Sequence, residues 1–151
     1  MRTSFTTSLA TRADIKPMAT LLQTLLLQEA EFTPNKKLQE EGLRLIIENK
    51  EMGQLLVLKN NQEVIGMVNL LFTISTALGG KVAILEDVIL LPEYRNQGLG
   101  SKLIEDAIQF AKDNDCKRIT LLTDSDNETS HAFYKKHGFT KSGMVPFRLM
   151  I

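Results

Sequence analysis

The stretch that decides the fold runs Val88-Ile-Leu-Leu-Pro-Glu-Tyr-Arg95-Asn-Gln-Gly98-Leu-Gly100-Ser-Lys-Leu103. Aliphatic and β-branched residues from Val82 to Leu91 predict a central strand buried on both faces, and Pro92 ends it. An amphipathic helix is predicted from about Gly98 to Asn114, with its apolar face on Leu99, Leu103, Ala107, Phe110 and Ala111. A strand that enters a helix through a glycine turn predicts exposed backbone N–H groups at a positively polarised helix end.

This glycine turn favours an anion, and a pyrophosphate fits it best. Arg95, Ser101 and Lys102 can add donors or positive charge to it. The alternative is a strand-to-helix turn in which Gly98 and Gly100 serve packing alone. Both interpretations are open on the turn residues alone.

The other predicted elements follow from periodicity and turn residues. Strands are predicted at Ser4–Ala10, Gln54–Lys59, Val64–Ile74, Lys117–Thr123, Phe139–Ser142 and Pro146–Ile151. Helices are predicted from Asp14 to about Glu31, from Lys37 to Asn49 and from Glu128 to Lys136. The order β-α-α-β-β-β-α-β-α-β-β predicts an α+β (mixed α/β) fold, whose central sheet is flanked by helices, in a single domain spanning residues 1–151.

Composition narrows the function classes. The 151 residues contain 18 Lys and Arg and 18 Asp and Glu, so the net charge is zero. No nucleic-acid partner is expected, because such binding depends on neutralising phosphates. The chain contains one cysteine, Cys116, and two histidines, His131 and His137. We therefore expect no disulfide framework and no metal. We see no secretory signal and no membrane span, and we expect a cytoplasmic protein.

Two blocks of sequence resemble one known family. The segment Arg95-Asn-Gln-Gly98-Leu-Gly100 resembles the Arg/Gln-x-x-Gly-x-Gly/Ala signature of the GNAT superfamily of acyl-coenzyme A-dependent N-acyltransferases. Leu85-Glu-Asp-Val88 resembles the strand before that signature. Asn127 and the run Ala132-Phe-Tyr134-Lys-Lys-His-Gly138-Phe139 resemble a second family block, although Ala132 follows Asn127 by five residues rather than three. The resemblance covers nearly the whole chain and implies a GNAT-like fold with a mostly antiparallel sheet.

The resemblance also implies a co-substrate, acetyl-CoA. Its pyrophosphate would lie on the turn from Asn96 to Ser101, and its pantetheine arm would pair with the strand backbone at Val88 to Leu90. An open strand edge needs such partners for its N–H and C=O groups. The implied coenzyme-binding residues are Val88, Ile89, Leu90, Arg95, Asn96, Gln97, Gly98, Leu99, Gly100, Ser101, Asn127 and Tyr134.

The implied reaction is direct attack of a primary amine on the thioester in a ternary complex. The amine must lose a proton, and we expect Glu86, or else Asp87, to receive it. Adjacent strand residues face opposite sides, so only one of the two is expected to face the amine. Tyr134 is expected to protonate the leaving thiolate. A structural ion pair for the carboxylates, a packing role for Tyr134 and simple helix capping by Asn127 are the alternatives.

The sequence leaves the acceptor open between a small amine and a peptide. Glu31 and Phe32 are candidate acceptor contacts, since this region shapes the acceptor pocket in the family. A second function is also open, a non-catalytic acyl-CoA-binding or regulatory module. A third, a nucleotide-binding α/β domain, is disfavoured because the chain lacks Gly-x-x-x-x-Gly-Lys. The oligomeric state is also open, and the apolar strand predicted at Phe147–Ile151 would have an exposed edge that could pair across a homodimer.

Overall fold

A computed structural model describes residues 4–26 and 35–151. In this part of the chain the strands are β1 (Phe5–Leu9), β2 (Gly53–Asn60), β3 (Glu63–Ser75), β4 (Gly80–Leu90) and β5 (Ile119–Leu121). The helices are α1 (Ile15–Leu26), α2 (Lys36–Glu48), α3 (Leu99–Asp113) and α4 (Glu128–Lys136), with short 3₁₀ turns at Arg12–Asp14 and Pro92–Tyr94.

The strands form one sheet in the order β1-β2-β3-β4-β5 within the described residues. The neighbouring pairs from β1 to β4 are antiparallel. Short turns join β2 to β3 and β3 to β4, which suits those two antiparallel pairs, whereas α1 and α2 connect β1 to β2. The pair of β4 and β5 is parallel, because α3 carries the chain back between them. The predicted mixed, mostly antiparallel sheet with flanking helices is therefore confirmed.

The sheet separates two apolar layers. One layer packs α3 on the sheet through residues such as Leu103, Val68 and Leu85. The other packs α1 and α2 on the opposite face, where Met18 and Met67 are fully buried. β4 therefore lies between the two apolar layers. It carries the candidate site residues Glu86 and Asp87.

The helix predictions agree well with the structure. The predicted helix at Glu128–Lys136 has the observed bounds, and those of the other helices differ by one or two residues wherever they are described. Asp14, expected to cap α1, instead completes a capping box with Thr11, whose N–H donates to Asp14 Oδ2 at 2.9 Å. The predicted continuation of the first helix to Glu31 lies outside the described residues, as do the candidate acceptor contacts Glu31 and Phe32.

The strand predictions after α3 were less accurate. The strand expected at Lys117–Thr123 is only three residues long and is not buried, because it pairs with β4 alone and leaves Leu122 55% exposed. The strands predicted at Phe139–Ser142 and Pro146–Ile151 were wrong: neither segment is a strand. Their residues are β-prone, but strand propensity needs a pairing partner, and neither segment pairs with a strand of the described chain.

We found no helix in residues 4–26 and 35–151 that is long and apolar enough to cross a bilayer. The same residues contain no cluster of His, Cys, Asp and Glu side chains suited to a metal ion.

A substitution at Leu103 tests the packing of α3 on the sheet. Its side chain is fully buried, so Leu103→Ala should lower the free energy of unfolding by about 2–5 kcal/mol through lost apolar contact and a residual cavity. Leu38, which is 66% exposed on α2, is the matched control, and Leu38→Ala should change stability by less than ~0.5 kcal/mol. Urea unfolding followed by circular dichroism measures both, and equal losses would contradict the assigned core.

Candidate active site

The two central strands separate partway along their length. β5 pairs with β4 only from Ala83 to Leu85, while β4 continues to Leu90 beside β3. Beyond Leu85, no strand of the described chain covers the other edge of β4. Its N–H and C=O groups there need partners, so this edge can receive an amide-bearing ligand such as an extended arm.

The glycine turn lies at the end of the open edge. The chain passes through the 3₁₀ turn Pro92–Tyr94, and Asn96 and Gly98 then adopt left-handed φ values of 62° and 78°. Gly98 is the N-cap of α3 and supplies no side-chain cap. The N–H groups of the first turn of α3 therefore keep their capacity to bind an anion.

Polar side chains of the turn mainly brace its backbone. Arg95 Nε donates to the Leu90 carbonyl at 3.3 Å, and Gln97 Nε2 donates to the Glu93 carbonyl at 3.0 Å. Leu99 is buried in the α3 layer, so its side chain anchors the helix. These contacts hold the backbone of the turn in its observed conformation.

A contact between α3 and the end of α4 was missed by the sequence reasoning. Ser101 Oγ lies 3.0 Å from His137 Nε2, and His137 Nδ1 lies 3.8 Å from Glu105 Oε1. The His137 side chain is nearly buried against the Phe133 ring. The partners are 36 residues apart in sequence, so no local pattern could have revealed the contact.

Asn127 is the N-cap of α4, and Tyr134 lies within the helix. Asn127 Oδ1 accepts a hydrogen bond from Ser130 N at 3.1 Å, which caps the helix as one of the two sequence interpretations expected. Tyr134 packs half-buried between Phe133 and Phe139. Burial raises the pKa of the Tyr134 hydroxyl above its ordinary value of 10.0, so the group holds its proton at neutral pH.

A β-bulge interrupts β4 where the carboxylates lie. Met67 pairs with Ile89 and Asn69 with Glu86, so Val68 faces two residues, one of which is Asp87. Asp87 has a left-handed φ of 56°, a strained conformation for a residue with a side chain. Beyond the bulge, each β4 side chain faces the side of the sheet opposite to the one it would face in a regular strand.

The two carboxylates meet at Asn69. Glu86 is the direct cross-strand partner of Asn69, so the two share a face of the sheet. Asn69 Nδ2 donates to Asp87 Oδ2 at 3.3 Å. The expectation that Glu86 and Asp87 face opposite sides was therefore wrong, because it assumed an unbroken strand.

Asn69 itself is a residue that the sequence reasoning missed. Its side chain is only 3% exposed, and its Oδ1 has no hydrogen-bond partner among the described residues. A polar residue in an apolar strand such as Met67-Val-Asn-Leu-Leu71 was the available signal, since buried amides need a structural or functional reason. Glu86 is exposed and Asp87 is half-buried, so the acidic pair extends from Asn69 toward solvent.

Cys116 does not belong to this site. It packs against the α3 layer, and burial raises the pKa of its thiol. The thiol therefore stays protonated at neutral pH, and Cys116 acts as a small apolar residue of this layer.

Comparison with curated proteins finds acetyltransferases. An uncharacterized N-acetyltransferase, YhfO, of Bacillus subtilis (strain 168) is 30% identical over 113 residues, 74% of this chain and 75% of the relative. An aminoglycoside N(6')-acetyltransferase type 1 of Acinetobacter baumannii is 30% identical over 110 residues, 71% of this chain and 75% of the relative.

Comparison with solved structures supports the same fold. The aminoglycoside N-acetyltransferase AAC(6')-Iy, solved in complex with CoA, superposes with a TM-score of 0.82 over 97% of its own length and 99% of this chain, at 14% identity. The family model described as the acetyltransferase (GNAT) family matches residues 21–139. That match includes β4, the glycine turn, α3 and α4, which confirms the resemblance, and the chain belongs to the GNAT acetyltransferase family.

Proposed function

We propose that this protein transfers an acetyl group from acetyl-CoA to a primary amine by direct attack within a ternary complex. The observation that carries the proposal is the open edge of β4 beyond Leu85, which leads directly to the uncapped start of α3. A family of acetyltransferases matches across this region. Together, these two features offer a ligand backbone groups along a strand edge and N–H groups at a helix start.

The chemistry of these groups fits the coenzyme. Acetyl-CoA, when bound, supplies an activated acetyl thioester. The N–H groups of the α3 first turn, with Gly98 and Gly100 keeping the approach clear, would hold the pyrophosphate. The backbone of Val88 and Leu90 would pair with the amides of the arm, and a backbone N–H near Val88 would polarise the thioester carbonyl. Arg95 braces the turn against the end of β4.

Glu86 is proposed as the proton acceptor. An amine of pKa ~10.4 is almost fully protonated at pH 7, which adds about 4–5 kcal/mol to the barrier. Asp87 already accepts a hydrogen bond from Asn69, whereas Glu86 lies exposed on the same face. Glu86 can therefore take the amine proton directly or through water, while Asp87 and Asn69 hold the bulge.

Tyr134 is proposed as the proton donor to the leaving sulfur. Its raised pKa keeps the hydroxyl protonated at neutral pH. Among the described residues no hydrogen bond occupies this hydroxyl, so it is available to a ligand at the α4 side of the site.

A cationic primary amine is the acceptor class that the site favours. Two carboxylates lie on the face of β4 that meets α1 and α2, and a cation is attracted to such a pair. One relative is named as an aminoglycoside acetyltransferase, so an aminoglycoside belongs at the head of an acceptor series with amino acids, peptides and small amines.

The proposed activity is tested by thiol release from acetyl-CoA with each acceptor, alongside a thermal shift with acetyl-CoA alone. We expect stabilisation by acetyl-CoA and thiol release with at least one amine. Stabilisation without release for any acceptor would instead favour the acyl-CoA-binding regulatory module. Absence of both would reject the coenzyme site itself.

Gly98 tests the turn, with Gly79 as a matched control. Both have left-handed φ values, 78° and 71°, and an added Cβ at either meets nothing within 4 Å. Gly98→Ala and Gly79→Ala should each cost about 1 kcal/mol of stability from backbone strain. Only Gly98→Ala should weaken CoA binding, by roughly tenfold in titration calorimetry. Equal CoA affinity in both variants would remove the turn from the site.

Glu86 is tested by its pH dependence. Glu86→Gln should lower kcat by about 10²-fold at pH 7. Its activity should rise more steeply with pH than that of the unchanged protein, because more of the acceptor arrives as free amine. Glu51→Gln, at an exposed site in a turn, is the control and should leave the rate unchanged. Loss of activity in Asp87→Asn but not in Glu86→Gln would transfer the role to Asp87.

Tyr134 is tested by removing only its hydroxyl. Tyr134→Phe should lower kcat by about 10–100-fold without changing the fold or the affinity for acetyl-CoA. Because burial raises the pKa of the Tyr134 hydroxyl above its ordinary value, the unchanged protein should lose activity only at a pH above that at which an exposed tyrosine ionises, and the variant should lack that loss. Tyr94→Phe is the matched control because the Tyr94 hydroxyl contacts Asn60 and Glu63 instead. An equal effect of both substitutions would contradict the assignment.

A further inference from the structure

The strand β1 forms one edge of the sheet. It pairs with β2 on one side, and no described strand pairs with its other side. Proteins commonly protect such an edge with a charged side chain, a proline or a bulge. The sequence of β1, Phe-Thr-Thr-Ser-Leu, contains no charge and no proline, and its register with β2 is unbroken. None of these devices therefore keeps another extended segment away from β1.

The backbone groups of alternate β1 residues point away from β2. The Ala10 N–H donates to the Leu55 carbonyl at 2.9 Å, and the Asn61 N–H donates to the Ser4 carbonyl at 3.0 Å. Residues that bond to the partner strand alternate with residues that do not in an antiparallel pair, so the even-numbered residues bond to β2. The residues whose N–H and C=O groups are directed outward are Phe5, Thr7 and Leu9. No backbone group of the described chain bonds to these outward groups.

A groove lies between this open edge and α3. Its volume is about 420 Å³, within the range of ~300–1,000 Å³ for ligand clefts. Thr7 and Leu9 of β1 and Leu56 of β2 line one side of the groove, and Phe110 of α3 lines the other. Leu9 is 50% exposed. An extended segment added to β1 would therefore place every second side chain in a partly apolar groove.

The α3 side of the groove favours a cation. Lys102 Nζ lies 2.9 Å from Asp106 Oδ2, so these two charges neutralise each other. Asp113 also lines the groove, and its Oδ1 accepts a hydrogen bond from Gln109 Nε2 at 2.9 Å. No salt bridge of the described chain neutralises Asp113. Asp113 is the last residue of α3, so a bound cation would be attracted both by the carboxylate and by the negative end of the helix dipole.

An extended peptide matches the open edge, the groove and the charge together. Strand addition gives affinity through backbone hydrogen bonds, and pockets for alternate side chains give specificity. The five residues of β1 extend over about 17 Å, so a segment of five or six residues covers the edge. The β1 strand of a second copy carries no charge and would offer no cation to Asp113.

We propose that the open edge of β1 binds an extended segment of a partner protein that carries a lysine or an arginine. The segment adds a strand beside β1, its basic side chain reaches Asp113, and an apolar side chain on the same face packs on Leu9 and Phe110. This surface lies at the edge of the sheet opposite β5, so the inference stands apart from the proposed acetyl transfer.

The first test selects a displayed library of all hexapeptides on the whole chain and on the variant Thr7→Pro in parallel. Thr7→Pro removes one outward N–H and leaves the hydrogen bonds to β2 in place. We expect the unchanged protein to enrich peptides that carry Lys or Arg among β-prone residues, and the variant to bind them at least tenfold more weakly. The most enriched peptide, once synthesised, should slow hydrogen–deuterium exchange at the amides of Phe5, Thr7 and Leu9.

Two aspartate substitutions test the charge. Asp113→Asn should weaken binding of the synthesised peptide about three- to fivefold, the size expected of an exposed ion pair, and the difference should shrink at high salt. Asp115→Asn is the matched control and should leave the affinity unchanged. Asp115 is also exposed, does not line the groove and has a φ of 61°, which asparagine tolerates as aspartate does.

A modified peptide tests the strand pairing without altering the protein, which covers the case in which Thr7→Pro does not fold. Methyl groups on the peptide nitrogens that face β1 should weaken binding at least tenfold, whereas methyl groups on the alternate nitrogens should weaken it much less. Circular dichroism shows which protein variants are folded.

Four results would overturn the proposal. Selection that enriches no peptide would mean that the edge does not bind extended segments. Enriched peptides that protect a different surface would place the binding site elsewhere. Peptides without a basic residue, or equal affinity of the protein and Asp113→Asn at low salt, would reject the role of charge. Concentration-dependent protection of the β1 amides without peptide would mean that a second copy occupies the edge.

Discussion

The separation of β4 from β5 is the constraint on which the site depends. β4 keeps a full partner in β3 but has β5 beside it only from Ala83 to Leu85. The backbone groups of the edge beyond Leu85 need hydrogen-bonding partners, and Arg95 Nε supplies one to the Leu90 carbonyl. The same edge leads through the glycine turn to the start of α3, whose N–H groups are also uncapped. The separation of the two strands thus places two sets of backbone groups next to each other, those along the open edge of β4 and the N–H groups at the start of α3.

The bulge in β4, where the register with β3 shifts, also shapes the site. A regular strand would have placed Glu86 and Asp87 on opposite faces. The extra residue lets both approach Asn69, at the expense of a left-handed backbone at Asp87. Strain of this kind persists only where surrounding contacts enforce it. The two residues after Asp87 are packed on opposite sides of the sheet, Val88 against one apolar layer and Ile89 within the other. The position of the acidic pair is therefore set by packing as much as by its own hydrogen bonds.

Local sequence determined much of this fold. The amphipathic period of α3, the glycine turn before it and the bounds of α4 were predictable, because each rests on contacts within a few residues. The bulge at Asp87, the role of Asn69 and the contact of Ser101 with His137 were not, because each depends on register between distant segments. The two strands predicted after Gly138 failed for a related reason. Their composition indicates a preference for strand conformation, but it does not indicate which strand could pair with them.

The short strand β5 determines where the open edge of β4 begins. It is three residues long and holds the sheet to β4 by one edge, while its other edge is open among the described strands. A strand of three residues pairs with only a few backbone groups of its neighbour, so β4 loses its second partner after Leu85. The length of β5 therefore sets the point at which the open edge of β4, and with it the candidate site, begins.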